Sequence, residues 1–203
     1  MKWIRSFRAI NKLYYTSNDI VKITKLPLPS VYVLLNRLVQ QEELIRLATN
    51  CYILPERISD LELIANQLVF PSYLSFESAL SQAGILSQIP YTLTFASIFK
   101  TKNLTLGDRQ VVYRQIQPGL FRNYFQRSDG LWIAEPEKAL FDLIYFNRLG
   151  KSKIDFASLD DSKINISQLE KMLTEYYPEK NILRDLGILG HQENRTDRDT
   201  GEH

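Results

Sequence analysis

The stretch Pro29-Ser-Val-Tyr-Val-Leu-Leu-Asn-Arg-Leu38 decides how the first quarter of this chain is read. Stepped at about 100° per residue, Leu34, Leu35, Leu38 and Val39 fall on one side with Val31. That is one apolar stripe of a helix. Pro29, Val33, Asn36, Arg37 and Gln40 point away from it, and Ser30 and Tyr32 lie on its flanks. A face built only for solubility would carry Glu and Lys. This one holds no acid before Glu42.

The flanking segments give the helix a setting. Upstream, Trp3, Ile4, Phe7 and Ile10 recur at helical spacing, and Leu13-Tyr14-Tyr15 is a short extended piece. Thr16-Ser17-Asn18-Asp19 supplies N-cap chemistry for a short second helix with Ile20, Val21 and Ile23. Leu26-Pro27-Leu28-Pro29 breaks that helix, because two prolines in three residues favour an extended turn. The third helix then starts at Pro29 or Ser30 and runs to about Glu43. Downstream, Leu44–Leu47 and Cys51–Leu54 flank Ala48-Thr49-Asn50 and read as a hairpin closed by Pro55. Helix, extended piece, helix, turn, helix, hairpin is the order of a winged helix-turn-helix, expected over residues 1–56.

Charge follows the same division. The chain of 203 residues has a net charge of only +2, but Met1 to Pro55 holds eight basic and three acidic residues. A basic end on an otherwise acidic chain suggests a polyanion partner. Arg donates two bonds to guanine O6 and N7, and Asn and Gln pair with adenine N6 and N7. Arg37, Asn36 and Gln40 therefore suit base edges. Ser30 and the free backbone N–H groups beside it suit phosphate. Tyr32 either touches phosphate and sugar or packs within the domain against the hairpin. Val33 shares the outward face. Arg46, Thr49 and Asn50 sit where a wing meets the DNA backbone or minor groove, Lys22 and Lys25 flank the groove-facing turn before the third helix, and Arg5 and Arg8 are candidate backbone contacts. The competing reading is a winged helix that docks a protein instead of double-stranded DNA.

Beyond the hairpin the pattern is mixed, and α+β is expected for residues 57–190. A helix is expected over residues 56–70 and another over Phe76–Ala83, with Gly84 as its C-cap. Strands are expected at Tyr91–Ala96 and Val111–Ile116, with a turn in Asn103–Gly107 between them. Leu120–Phe125 and Leu131–Ala134 flank Ser128-Asp129-Gly130 as a hairpin, and helices follow over Pro136–Asn147 and Ile166–Tyr177. Residues 191–203 are polar and expected to be disordered.

Little in the chain points to catalysis. There is one cysteine, Cys51, so there is neither an intrachain disulfide framework nor a thiolate cluster, and Cys51 reads as a small core residue. His191 and His203 lie in the polar tail. No phosphate-binding glycine loop or nucleophile elbow occurs. Asp155 with Asp161-Ser162-Lys163 weakly suggests a metal-dependent nuclease, against the plainer reading of a solvated loop. No cofactor or metal is expected. The N-terminus lacks a long apolar run, no segment approaches a membrane span, and a cytoplasmic protein is expected.

Two motifs carry a resemblance. Pro71-Ser-Tyr-Leu-Ser-Phe-Glu-Ser-Ala-Leu-Ser-Gln-Ala-Gly-Ile85 is followed by Ala134-Glu-Pro-Glu-Lys-Ala-Leu-Phe-Asp-Leu-Ile-Tyr145. Behind a winged helix, this resembles the antitoxins of AbiE abortive-infection systems, type IV toxin–antitoxin pairs, over roughly residues 1–180. The resemblance implies a transcriptional autorepressor that binds inverted repeats in its own promoter, as a dimer or cooperatively on DNA. It also implies a C-terminal antitoxin domain and a nucleotidyltransferase-like toxin encoded alongside. It implies no enzyme activity. Tyr73, Ser75, Ser78, Leu80, Pro136, Glu137, Lys138, Ala139 and Asp142 match the motifs and are expected to be structural or interaction residues. The chain departs from the family pattern at Ala134-Glu135, where a small or polar residue before the proline is commoner.

Overall fold

The computed structural model describes residues 2–152, 158–178 and 182–185. The chain is α+β with two sheets. It begins with α1 (Lys2–Ile10), α2 (Ser17–Thr24) and α3 (Leu28–Gln40), followed by the antiparallel pair β1 (Ile45–Ala48) and β2 (Cys51–Ile53). Tyr15 adds a one-residue bridge to this pair, donating to Tyr52 O over 2.7 Å and accepting from Tyr52 N over 3.0 Å. The first core gathers Ile4 and Phe7 of α1, Ile20 of α2, Val31, Leu34, Leu35 and Leu38 of α3, and Tyr52 and Leu54.

A 3-10 turn (Pro55–Asp60) and α4 (Leu61–Leu68) lead to the six-stranded sheet. Its strands are β3 (Ser72–Leu74), β4 (Thr92–Ser97), β5 (Lys102–Leu106), β6 (Arg109–Gln115), β7 (Tyr124–Gln126) and β8 (Trp132–Ala134). Their order is β5-β6-β4-β3-β8-β7, with β3/β8 and β4/β6 parallel and the other neighbours antiparallel. The helices are α5 (Phe76–Gln82), α6 (Pro136–Arg148), α7 (Ile166–Tyr176) and α8 (Ile182–Asp185).

Register assigns the sheet faces, because paired residues point to the same side. Tyr73, Ala96 and Arg114 share one face, and α5 and α6 cover it: Arg114 lies 4.6 Å over the Phe76 ring and 5.6 Å over Phe146. Leu74, Phe95 and Tyr113 share the other, where the Tyr113 hydroxyl donates to Ala65 O of α4 over 2.6 Å. Every residue of α6 from Glu137 to Phe146 is buried, so this helix has no solvent stripe over that stretch.

The small hairpin joins the two cores. Alternation sends Tyr52 into the first core and Cys51 and Ile53 into the second, which also takes Leu47. Gly107, at φ +64°, donates its N–H to Leu47 O over 2.9 Å.

Several expectations need correction. The third helix starts at Leu28 and stops at Gln40, short of Glu43, since Glu42 takes a left-handed φ of 57°. A continuous helix over 56–70 is replaced by the 3-10 turn and α4, because Pro55 starts a tight turn that ends at Asp60. The segment Asn103–Gly107 is mostly β5, an exposed polar edge strand, with the turn at Gly107 and Asp108. Leu120 lies in a 3-10 turn (Pro118–Leu120), and β7 starts only at Tyr124. β3 was not expected, because three fully buried residues show no alternation. The polar tail, 191–203, lies outside the described residues.

Candidate nucleic-acid interface

The turn between α2 and α3 is set by local chemistry. Thr16 caps α2: its Oγ1 accepts from Asp19 N over 3.1 Å, and Asp19 Oδ2 accepts from Thr16 N over 2.9 Å. Burial would raise the Asp19 carboxyl, but the Lys12 ammonium at 2.7 Å and the Thr16 donors outweigh it and hold it below the usual carboxylate range. Lys25 ends α2 in a left-handed conformation, φ 59°. Pro27 is extended and sets up α3, whose first intrahelical bond runs from Val31 N to Pro27 O at 3.1 Å. Pro29 therefore costs α3 no hydrogen bond.

Pro29, Ser30, Tyr32, Val33, Asn36, Arg37 and Gln40 are all exposed, as the helical spacing requires. They divide into two rows. Leu28, Tyr32 and Asn36 face the hairpin across an open groove of about 520 Å³, bounded opposite by Arg46 and Thr49. Ser30, Val33 and Arg37 face the other way, toward Trp3 of α1 and Leu26, over a smaller groove of about 200 Å³. Sequence reading missed Trp3 and Leu26 as surface partners of α3, because their approach depends on how α1 crosses it.

Asn50 has a different part from the one expected at a wing tip. It sits in the hairpin turn at φ 57°, and its Oδ1 accepts from the Ser17 N–H over 2.7 Å and the Ser17 hydroxyl over 2.8 Å. That bond ties the hairpin to the first turn of α2.

The basic side chains separate into spent and unspent. Arg8, a candidate backbone contact, is held by Glu56 at 2.8 Å, and Lys12 by Asp19. Arg5, Lys22, Lys25, Arg37 and Arg46 are exposed and form no ion pair among the described residues. These five side chains thus present their positive charge to solvent.

The motif residues of the second domain are inside. Asp142 is fully buried and accepts from the Ser75 hydroxyl at 2.7 Å, the Tyr73 hydroxyl at 3.0 Å and Lys138 one helical turn before it. The Lys138 ammonium also lies 5.1 Å from the Phe141 ring centroid. Burial pushes the Asp142 carboxyl up, the Lys138 ammonium down and the Tyr73 phenol up. Glu137 Oε1 accepts from Asn165 N at 2.7 Å and holds α7 to α6. Ser78 is buried, donates to Thr92 O and bonds Thr94, while Pro136 opens α6. Tyr73, Ser75, Ser78, Glu137, Lys138 and Asp142 are buried, and their polar groups are engaged inside the domain, while Pro136 is half-buried.

The nuclease reading falls partly on residues outside those described. Lys163 Nζ donates to Gly84 O at 2.8 Å, and Asp155 lies outside the described residues, as do both histidines. No group of three His, Cys, Asp or Glu side chains arranged to hold a metal occurs among the described residues. No described helix is long and apolar enough to cross a membrane. Comparison with protein-family models gives no match, and comparison with curated proteins gives none either.

Proposed function

We propose that residues 1–56 form a winged helix-turn-helix that binds duplex DNA, with α3 in the major groove and the β1–β2 hairpin as the wing. The supporting observation is that α3 presents an acid-free, exposed face, and that Lys22, Lys25, Arg37 and Arg46 are exposed and form no ion pair among the described residues. Phosphates meet positive charge there without a carboxylate to repel them.

On this reading the protein represses transcription of its own operon and acts as an AbiE-type antitoxin against a nucleotidyltransferase-like toxin encoded beside it. The antitoxin part rests on the order and spacing of the two motifs, Pro71–Ile85 and Ala134–Tyr145. The buried Tyr73–Ser75–Lys138–Asp142 cluster suits a scaffold that shapes the second domain, so toxin neutralisation would use its surface.

Fluorescence anisotropy with the duplex immediately upstream of the gene tests the first half. Four neutralised phosphates predict a roughly hundredfold loss of affinity between 50 and 200 mM salt. Binding that is no tighter than to unrelated DNA would instead favour a protein partner for α3. Co-expression with the neighbouring gene tests the antitoxin half: growth must be arrested by that gene alone and restored by the pair.

A further inference from the structure

Val33 is the anomaly on the α3 face. It is 70% exposed, the most open large apolar residue of the first 55, and sits between Ser30 and Arg37 in one row. Beside it, Trp3, Leu26 and Leu34 complete a shallow apolar recess of about 200 Å³ with Ser30 and Arg37 at its edge. A wholly polar groove would leave that recess unpartnered. The major groove of DNA offers one apolar group on its base edges, the methyl at C5 of a pyrimidine.

We infer that this recess is a subsite for a pyrimidine C5 methyl, seated on Val33, next to a guanine read by Arg37. The inference rests on the proposed DNA-binding reading and specifies what that surface recognises. Spacing agrees: Val33 and Arg37 are four residues apart, about 6 Å along the helix, which matches a separation of one to two base pairs. The recess is open to solvent at the exposed Val33, so a methyl that projects from a base edge has access to it. Thymine and 5-methylcytosine carry the same methyl in the same place, and both fit the recess.

The test uses the full chain and a duplex it selects from a random-sequence pool. Each thymine of the selected site is replaced in turn by deoxyuridine, which removes only the methyl. One position per half-site is expected to weaken binding about fourfold, the worth of one buried methyl-sized group. Val33→Ala, a change at an exposed position, binds the thymine and deoxyuridine duplexes equally. At the same position 5-methylcytosine is expected to bind about fourfold more tightly than cytosine; a response to thymine alone narrows the ligand to thymine and keeps the subsite. The inference is overturned if the chain selects a sequence but no methyl removal costs more than about twofold, or if Val33→Ala responds to deoxyuridine like the parent. A chain that enriches no sequence and binds without salt dependence overturns the DNA-binding reading itself, and this subsite with it.

Discussion

The Asn50 side-chain oxygen holds both the backbone N–H and the hydroxyl of Ser17, at 2.7 and 2.8 Å. The β1–β2 hairpin is therefore positioned by the helix that precedes α3. Asn50→Ala removes the acceptor and places a residue of poorer left-handed tolerance at φ 57°. It should cost about 2 kcal/mol in urea unfolding. Asn50→Asp keeps the acceptor and should stay within about 0.5 kcal/mol, while its added negative charge weakens DNA binding. Equal stability losses in both variants would contradict the positioning role.

The buried Lys138–Asp142 pair should show strong non-additivity. Asp142→Ala strands an ammonium and two hydroxyls in the core and should cost about 3–5 kcal/mol, as should Lys138→Ala. The double variant Lys138→Met/Asp142→Leu removes both charges at similar volume and should lose clearly less than the two single changes together. A double-mutant cycle read by chemical denaturation measures the coupling.

Acid should loosen the α2 cap. The Asp19 carboxyl is depressed in the folded state, so its stabilisation is complete above the ordinary aspartate pKa of about 3.9 and is lost as pH falls through the folded value. Asp19→Asn should therefore flatten the acid side of the stability–pH curve while lowering stability at neutral pH. Thermal melts from pH 7 to pH 2.5 would show it; an unchanged acid slope would remove Asp19 from the account.

Cys51 should be inert in the folded protein. It is 1% exposed between the hairpin and the sheet, and burial pushes its thiol up to about 11. At pH 8 a disulfide reagent should label the native chain roughly a hundredfold or more slowly than the denatured chain. Rapid native labelling would mean that the hairpin opens from the sheet.

On the proposed DNA-binding reading, base and phosphate contacts should separate by their response to salt. Arg37→Ala should cost about 1–3 kcal/mol at the selected site and relax preference for guanine there. Lys22→Ala should weaken all duplexes alike and lower the salt slope by about one. Titrations at three salt concentrations with the selected and a scrambled duplex distinguish the two patterns.

Sequence periodicity alone determined the three helices, the hairpin and the outward set on α3, because one buried stripe per helix leaves its opposite face no choice. Capping at Thr16 and Asp19 was legible for the same reason: both partners lie within one helical turn. The edge strand β5 was not legible because its residues are mostly exposed and polar, and the short β3 was not because its partners β4 and β8 are distant in the chain. Likewise, Tyr73, Ser75, Lys138 and Asp142 were visible only as motif letters until packing brought β3 and α6 together across more than sixty residues. Local chemistry decides where a helix starts and which way it faces. Only tertiary packing decided that Asn50 braces the hairpin, that the hairpin serves two cores, and that Trp3 and Leu26 form a recess beside Val33.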